Sequence, residues 1–186
     1  IIREHYLITS KTEITIECNP EDLDEEKLKF LKKIGVNRLS IGVQSFKDED
    51  LIFMNRSHNS KQALNSIENA KSVGFKNISI DLMYSLPNQS INDWKKNLKI
   101  AFELNIQHIS SYSLSIEEKT KLRHLINKNI LTELSDIDSQ KHFQLLIDEC
   151  KKNNFIQYEI SNFGKKDYFS IHNKNYWMGQ EYLGIG

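Results

Sequence analysis

Four residues of this chain have the side chains that a small zwitterionic or sugar-bearing ligand needs: Glu17, Gln44, Arg56 and Asp81. A carboxylate accepts hydrogen bonds from ribose hydroxyls or an ammonium group, and a carboxamide both donates and accepts. A guanidinium pairs with a carboxylate through two parallel hydrogen bonds. Each acid taken alone is explained as well by capping of a neighbouring helix or by pairing with a surface lysine. The four residues together favour a binding site.

The segments around these residues predict strands whose inner face is polar. In the segments 13–18, 38–45 and 77–85, apolar residues alternate with polar or small ones, which is typical of a strand with two different faces. The stretches between them have helical spacing, which predicts parallel strands covered on the outside by helices. A closed barrel of parallel strands usually fills its interior with Val, Ile and Leu. A polar lining therefore indicates a space that holds a ligand.

The predicted strands recur at the spacing of consecutive strand and helix units. They start at residues 13, 38, 78 and 108, and the fourth strand is predicted over 108–116. Ligand sites of parallel α/β folds lie at the carboxyl ends of the strands, so the two acids and the glutamine introduced above are expected to share one mouth. Beyond the fourth strand, the pattern predicts a short helical piece at 122–127, a helix over 139–153 and a fifth strand over 158–163.

The composition predicts one compact domain without a strongly charged partner. The 186 residues carry 25 Lys and Arg against 25 Asp and Glu, which argues against nucleic acid as a partner. No apolar stretch is long enough for an integral membrane segment. Cys18 and Cys150 form no disulfide or zinc motif, so a reducing, cytoplasmic setting is expected. Residues 1–5 look like neither a signal peptide nor a translation start, which predicts a chain cut from a longer protein.

Three runs of sequence resemble one known family. They are Ile-Glu-Cys-Asn-Pro at 16–20, Asn-Arg-Leu-Ser-Ile-Gly-Val-Gln-Ser-Phe at 37–46, and Asn-Ile-Ser-Ile-Asp-Leu-Met-Tyr at 77–84, the last followed by Leu86-Pro87. Over nearly its whole length the chain is similar to the oxygen-independent coproporphyrinogen III dehydrogenase family of radical S-adenosylmethionine (SAM) proteins. The resemblance implies an α/β fold, namely a partial (β/α)6 radical SAM barrel truncated at its amino terminus, with SAM against the inner strand faces.

The same resemblance implies roles for individual residues. Glu17, Gln44, Arg56 and Asp81 match positions at which the family contacts SAM, and Ser115 matches a position that touches the cofactor through its main chain. The family also holds a [4Fe-4S] cluster on a Cys-x-x-x-Cys-x-x-Cys loop and binds SAM through a Gly-rich turn. Neither motif occurs in this sequence. The resemblance thus implies that this part of the protein alone holds no metal cluster and performs no radical chemistry.

The segment around His172 has the groups that bind haem. His172 offers an imidazole to iron, and Tyr176 and Trp177 present flat faces for a porphyrin. The other interpretation is an aromatic-rich loop packed over the open side of the barrel, and the chemistry alone leaves both open. The remaining histidines show no metal-ligand spacing and are expected to be ordinary surface or core residues; they stand at positions 5, 58, 108, 124 and 142.

The pattern His172-Asn173-x-x-Tyr176-Trp177 resembles the HemW branch of the family, whose members are regarded as haem chaperones that deliver haem to target proteins. This resemblance implies SAM, haem and, in the full-length protein, a [4Fe-4S] cluster as cofactors, with haem-accepting proteins as partners. The alternative is the dehydrogenase branch, which oxidatively decarboxylates coproporphyrinogen III. Residues 1–118 are then the radical SAM core, and residues 119–186 are the remainder of the core and the start of the HemW-type carboxyl-terminal region.

Overall fold

The computed structural model describes residues 2–184, with side chains from Glu4 onward. Ile1, at the start of the predicted region 1–118, and Ile185 and Gly186, at the end of the predicted region 119–186, lie outside the described residues. The described residues form one six-stranded sheet with the strand order β1-β2-β3-β4-β6-β5. Strands β1 to β4 are parallel, and β6 and β5 are antiparallel to their neighbours. The strands span Thr15–Cys18 (β1), Arg38–Gln44 (β2), Ile78–Tyr84 (β3), His108–Ser113 (β4), Ile156–Gln157 (β5) and Asn162–Gly164 (β6).

Helices connect the strands, and several of them pack against the outer face of the sheet. A short 3-10 turn, Pro20–Asp22, follows β1. The α-helices span Ile2–His5 (α1), Glu25–Lys33 (α2), Asp48–Phe53 (α3), Ser60–Val73 (α4), Ile91–Glu103 (α5), Lys121–Asn127 (α6), Asp136–Lys152 (α7) and Ile171–Trp177 (α8). None of the helices described between residues 2 and 184 is both long enough and apolar enough to cross a membrane.

The helices begin and end where the sequence provides caps. Asp24 accepts from the Lys27 N–H at 2.7 Å and so caps α2. At the start of α4, Asn59 and Gln62 each accept from the backbone N–H of the other, which satisfies two donors that a helix leaves unpaired. Gly74 ends α4 with a φ of 93°, a left-handed conformation that glycine adopts without strain. These signals fix the lengths of the helices between consecutive strands.

The core lies between the helices and the outer face of the sheet. Leu39, Ile41 and Val43 of β2 are fully buried and pack with apolar residues of α2, α4, α5 and α7. Trp94 of α5 is also fully buried, and its indole N–H donates to the carbonyl of His142 in α7 at 3.0 Å. Because these residues occupy the outer face, the alternate residues of the same strands are left on the inner face.

The parallel architecture that the sequence predicts is confirmed for the first four strands, although β1 begins two residues later than predicted and β4 ends at Ser113 instead of 116. The predicted fifth strand over 158–163 is wrong, because the chain reverses there. The Tyr158 N–H donates to the Asn162 carbonyl at 3.2 Å, and the Glu159 carboxylate accepts from the Ser161 N–H at 2.9 Å. The turn separates β5 from β6, which form an antiparallel hairpin.

Elements from the second predicted region, 119–186, complete the sheet of the first. Strand β6 pairs with β4, with His108 opposite Gly164, and helix α7 packs against α5. The two regions therefore share one sheet and one core. The division at residue 118 stays a prediction about the organisation of the protein.

Asn97 of α5 fixes the turn that follows β2. Its Oδ1 accepts from the Phe46 N–H at 2.6 Å, and its Nδ2 donates to Ser45 Oγ at 3.0 Å. The Ser45 hydroxyl in turn donates to Asp50 Oδ2 at 2.8 Å. The side chains of Ser45, Asp50 and Asn97 are buried. This network sets the direction of the chain directly after Gln44.

Replacing Asn97 with alanine removes the acceptor of a buried backbone N–H. We expect Asn97→Ala to lower the free energy of unfolding by about 1 to 3 kcal/mol, because the Phe46 N–H is left without a partner. Urea denaturation measures the loss. Asn65→Ala, at an exposed position of α4, is the matched control and should change stability by less than about 0.5 kcal/mol. Equal losses in the two variants would show that the network does not hold the turn.

Candidate functional site

The inner face of the sheet forms the floor of a polar groove with two adjoining compartments, which share Glu17, Ser40 and Asp81. The upper compartment, of about 230 Å³, is lined by Glu17, Cys18, Asn19, Ser40, Gly42, Gln44, Arg56 and Asp81. The lower compartment, of about 420 Å³, is lined by Thr15, Glu17, Arg38, Ser40, Asp81, Ser110, Tyr112, Ser170, His172 and Asn173.

The upper compartment has a floor of bare backbone at Gly42. A β-carbon at this position would lie 3.1 Å from Gln44 Nε2 and 3.4 Å from Arg56 Nη2. The absence of a side chain therefore makes room for the polar ends of both neighbours. Arg56 Nη2 donates to Asn19 Oδ1 at 2.7 Å and to the Gly42 carbonyl at 3.3 Å. The guanidinium is thereby held at the mouth of the compartment.

Gln44 ends β2 in an unusual backbone conformation. Its φ is 66°, which is uncommon outside glycine. The Ser45 N–H donates to the Val43 carbonyl at 2.8 Å, so the chain makes a tight turn centred on Gln44. Such conformations cost on the order of 1 to 3 kcal/mol and are concentrated at functional sites. The turn places the Gln44 carboxamide beside Gly42, where it lines the upper compartment.

His58 holds the loop that carries Arg56. The imidazole is fully buried, and its Nε2 donates to the Val43 carbonyl at 3.0 Å. Its Nδ1 lies 3.1 Å from the Glu21 carboxylate in the 3-10 turn after β1. One ring therefore joins the end of β2 to the loop after β1, and the loop before α4 is fixed between them.

Asp81 lies in the wall that the two compartments share. Burial raises the pKa of Asp81 to about 6, and hydrogen bonds from Ser110 and Ser40 oppose this rise. The negative charge of Glu17 adds to the rise, and the positive charge of Arg38 opposes it. Asp81 is mostly ionised at neutral pH. A cationic group of a ligand beside it would stabilise the charged form.

Helix α8 forms one side of the lower compartment with Ser170, His172 and Asn173. The segment is a helix and not the loop that the sequence suggested, while its role, packing or haem binding, stays a prediction. Ser170 Oγ accepts from the Asn173 N–H at 3.3 Å and caps the helix, and the Glu13 carboxylate accepts from the Ile171 N–H at 3.2 Å. A serine at this position is a sequence signal for the start of a helix, although the aromatic residues beside it suggested a loop.

A chain of buried hydrogen bonds ties the start of α8 to the sheet. Ser79 Oγ lies 2.7 Å from His108 Nδ1, and His108 Nε2 lies 2.7 Å from the Tyr158 hydroxyl. The same hydroxyl accepts from the Ser170 N–H at 3.2 Å. Burial lowers the pKa of His108 to about 3, so its imidazole is neutral at pH 7. Of the surface or core positions expected for the remaining histidines, His108 occupies the core, and it also positions α8.

The structure brings together the four residues that the resemblance assigns to SAM. Glu17, Gln44, Arg56 and Asp81 all line the upper compartment. Ser115 is exposed in the segment after β4, and neither compartment includes it among the described lining residues. The alternation along the strands accounts for Glu17, Gln44 and Asp81 in this compartment, and Arg56 comes from the loop before α4. The role of each residue toward a ligand stays a prediction.

The three residues that the resemblance assigns to haem lie on one helix, and the rings of His172 and Tyr176 both meet that of Tyr182. His172 lines the lower compartment. Tyr176 and Trp177 are 57% and 55% exposed and are not among the described residues that line either compartment. Their rings meet edge to face, with 6.2 Å between the centroids, and Tyr182 packs near Tyr176 at 5.8 Å. The aromatic residues thus form an exposed surface at the end of α8.

Sequence reasoning missed three residues that build the groove: Arg38, Asn19 and His58. Arg38 could have been found by counting back from Gln44 in steps of two, because strand residues two apart lie on the same face. Asn19 lies in the turn directly after β1, where a polar residue at a strand end is a site signal. His58 has no such signal, since its partners are 15 and 37 residues away in the sequence.

A larger cavity of about 810 Å³ adjoins the upper compartment and shares Gln44 and Arg56 with it. Its wall consists mainly of apolar residues from α3, α6 and the ends of β3 and β4, and Lys121 adds one cation. The apolar lining residues are Ile52, Phe53, Met54, Met83, Leu114, Leu122, Leu125 and Leu131. The polar groove therefore opens into an apolar space at the carboxyl ends of the strands.

The described residues do not fit an iron–sulfur cluster. Between residues 2 and 184, no three His, Cys, Asp or Glu side chains are placed to hold a metal ion. Burial raises the pKa of Cys18 to about 12 and that of Cys150 to about 12. Both side chains are therefore thiols at neutral pH, whereas cluster ligands are thiolates.

Comparison with known proteins identifies relatives of this chain. The sequence profile of the Radical SAM superfamily matches residues 1–101. The chain is 40% identical over 175 residues to "Heme chaperone HemW" of Bacillus subtilis, covering 94% of this chain and 46% of that protein. It is 36% identical over 188 residues to the protein of the same name from Escherichia coli, covering 100% and 48%. The chain thus spans about half the length of the curated relatives it matches.

Solved structures show the same fold. The chain resembles coproporphyrinogen III oxidase (HemN) from Escherichia coli, described as a radical SAM enzyme, with a TM-score of 0.75, 25% identity and coverage of 89% of this chain and 38% of that one. Elp3 from Methanocaldococcus infernus shares the fold at a TM-score of 0.63 and 24% identity, covering 72% and 32%. The predicted fold class, a partial radical SAM barrel, is confirmed.

Asp81→Asn tests the buried carboxylate. The folded protein holds the proton up to a pH of about 6, whereas the unfolded chain releases it near 3.8, so ionisation of Asp81 lowers stability as the pH rises through this window. We expect Asp81→Asn to exceed the wild type in unfolding free energy by about 1 to 3 kcal/mol at pH 7.5, with the difference vanishing near pH 4. Urea denaturation at both pH values measures it. Asp148→Asn, exposed on α7, is the control, and a gain independent of pH would contradict the burial of an ionised carboxylate.

Proposed function

The chain belongs to the radical SAM superfamily, and on this premise we propose that its upper compartment binds SAM and that the full-length protein is a haem chaperone of the HemW type. The observation that carries the proposal is the meeting of Glu17, Gln44, Arg56 and Asp81 around Gly42 in one polar compartment. The relatives named as heme chaperones support the haem part.

The groups in the upper compartment complement those of SAM. Arg56 binds the methionyl carboxylate through its fork, and the Glu17 and Asp81 carboxylates accept from the ribose hydroxyls or the ammonium group. Their negative charges also stabilise the sulfonium. Gln44 has both a donor and an acceptor for the remaining polar atoms, and Ser115 adds a main-chain contact. Bound SAM supplies the sulfonium whose reductive cleavage starts the radical chemistry of the superfamily.

The [4Fe-4S] cluster is assigned to a part of the full-length protein other than these residues. Cys18 and Cys150 are two thiols, and the described residues contain no third ligand placed with them. The free thiols of this chain suit a reducing, cytoplasmic setting. The chain on its own is therefore expected to bind SAM weakly and to be inactive in radical chemistry.

Haem association is assigned to α8. His172 offers an imidazole nitrogen to the iron, and its place in the lower compartment brings it next to the SAM residues. Tyr176 and Trp177, exposed at the end of the same helix, offer flat apolar faces to a porphyrin or to a haem-accepting protein. The haem site and the SAM site are thereby adjacent in one groove.

A second candidate function is the oxidative decarboxylation of coproporphyrinogen III. The observation that favours it is the structural likeness to the Escherichia coli coproporphyrinogen III oxidase. In that case the protein orients the substrate in the groove and excludes water from it. Anaerobic incubation of the reconstituted full-length protein with coproporphyrinogen III distinguishes the two functions. Formation of protoporphyrinogen IX would show that the protein is the dehydrogenase, and its absence would support the chaperone.

Gly42→Ala tests the SAM site without removing a charge. The added methyl group displaces the Gln44 and Arg56 side chains from the floor of the upper compartment. We expect the affinity of the anaerobic full-length protein for SAM, measured by isothermal titration calorimetry, to fall about tenfold or more, which is about 1.4 kcal/mol. Gly184→Ala is the matched control, because a β-carbon there meets no atom within 4 Å. An unchanged affinity in Gly42→Ala would place SAM elsewhere.

His172→Ala tests the haem site. We expect haem titration of the full-length protein, followed by absorbance in the Soret region, to show a loss of affinity of about tenfold or more, because the iron loses a nitrogen ligand. The spectrum of the residual complex should also shift, since the axial ligand changes. His124→Ala, exposed on α6, is the control and should bind like the wild type. If His172→Ala keeps both the affinity and the spectrum, His172 does not ligate the iron.

A further inference from the structure

The lower compartment contains a buried cation, the guanidinium of Arg38. Arg38 of β2 is only 4% exposed, and it lines the compartment. Its Nε has no hydrogen-bond acceptor within the part of the chain that the structure describes. No described carboxylate forms an ion pair with the guanidinium either, although Glu17 and Asp81 line the same compartment.

A buried guanidinium with an unpaired Nε is costly. Withdrawing a charge from water is compensated in folded proteins by pairing and hydrogen bonding, and a lone buried cation lowers stability. The neighbouring groups show the effect of this charge: it helps to lower the pKa of His108 and opposes the rise in the pKa of Asp81. The compartment therefore contains two carboxylates, Glu17 and Asp81, and a buried cation that forms an ion pair with neither of them.

We propose that Arg38 is the anchor for a carboxylate group of a ligand that occupies the lower compartment. A carboxylate matches the planar fork of a guanidinium and accepts two parallel hydrogen bonds from it. Ser170 and Asn173 of α8 line the same space and add polar groups around the anchor. The volume of about 420 Å³ is in the range of pockets that hold organic ligands, and it exceeds what a simple inorganic anion requires.

Two ligands of the proposed function carry such a carboxylate. One is haem, through its propionates, and the other is SAM, through its methionyl group. Arg38 shares its compartment with His172, whereas Arg56 lies in the other compartment with Gln44. The propionate is therefore the expected source. This choice rests on the proposed haem function, whereas the carboxylate assignment to Arg38 rests on its burial and its missing acceptor.

The test compares each ligand with an analogue that lacks the carboxylate charge. Haem and haem dimethyl ester, in which both propionates are esterified, are titrated into the full-length protein. We expect the wild type to prefer haem about tenfold or more, and Arg38→Met to bind both with equal affinity. Arg38→Lys keeps the charge without the fork and should show an intermediate preference. Lys174→Met, which removes an exposed cation of α8, is the control and should discriminate like the wild type.

A second arm uses SAM and decarboxylated SAM. If Arg38 holds the methionyl carboxylate, Arg38→Met loses the preference for SAM and Arg56→Met keeps it. Loss of discrimination in Arg38→Met in either arm supports the anchor and identifies the source. Retention of wild-type discrimination in both arms overturns it. If the wild type binds neither haem nor its ester, the proposed haem function fails. The comparison of SAM with decarboxylated SAM then shows alone whether Arg38 binds a carboxylate.

Stability separates a binding role from a structural one. Because no acceptor for Arg38 Nε lies among the described residues, Arg38→Met should unfold at a urea concentration no lower than that of the wild type. A fall in the midpoint, together with retained ligand discrimination, would show that Arg38 supports the fold and not a ligand.

Discussion

The two faces of β2 impose opposite demands on the rest of the molecule. Leu39, Ile41 and Val43 are fully buried on the outer face and need apolar partners, which the helices supply. The alternate residues of the inner face are polar or lack a side chain, and buried polar groups need hydrogen-bond partners. Several contacts around the groove meet this second demand. At Arg38 Nε the described residues supply no partner, and the proposed ligand would supply one.

The partners of the inner face come from distant parts of the sequence. Asn19 meets Arg56, Ser40 meets Asp81, and Ser79 joins His108 in the chain of hydrogen bonds that ends at α8. Each of these contacts crosses from one strand or loop to the next. The groove is therefore formed by the assembled sheet and not by any single segment.

The sequence predicts the parallel strands and the shared polar compartment because both follow from a period of two. It fails at 158–163, where a side chain decides the outcome: Glu159 accepts from the Ser161 N–H and turns the chain back. It fails at α8 for a similar reason, since the serine that caps the helix is hidden among aromatic residues. Arg38 was overlooked because an arginine at the start of a strand is ordinarily exposed. It is buried in a compartment that it shares with Ser110 of β4 and with Ser170 and Asn173 at α8, an arrangement that no local pattern reveals.

The hairpin of β5 and β6 has a consequence for how the sheet can grow. Strand β6 covers the side of β4 that β3 leaves free, so that side is closed to another parallel strand. On the opposite side, within the described residues, β1 pairs with β2 alone. Its outward N–H and C=O groups form an open edge, which is a template for strand addition. Any backbone that docks in register there would extend the sheet beside the upper compartment.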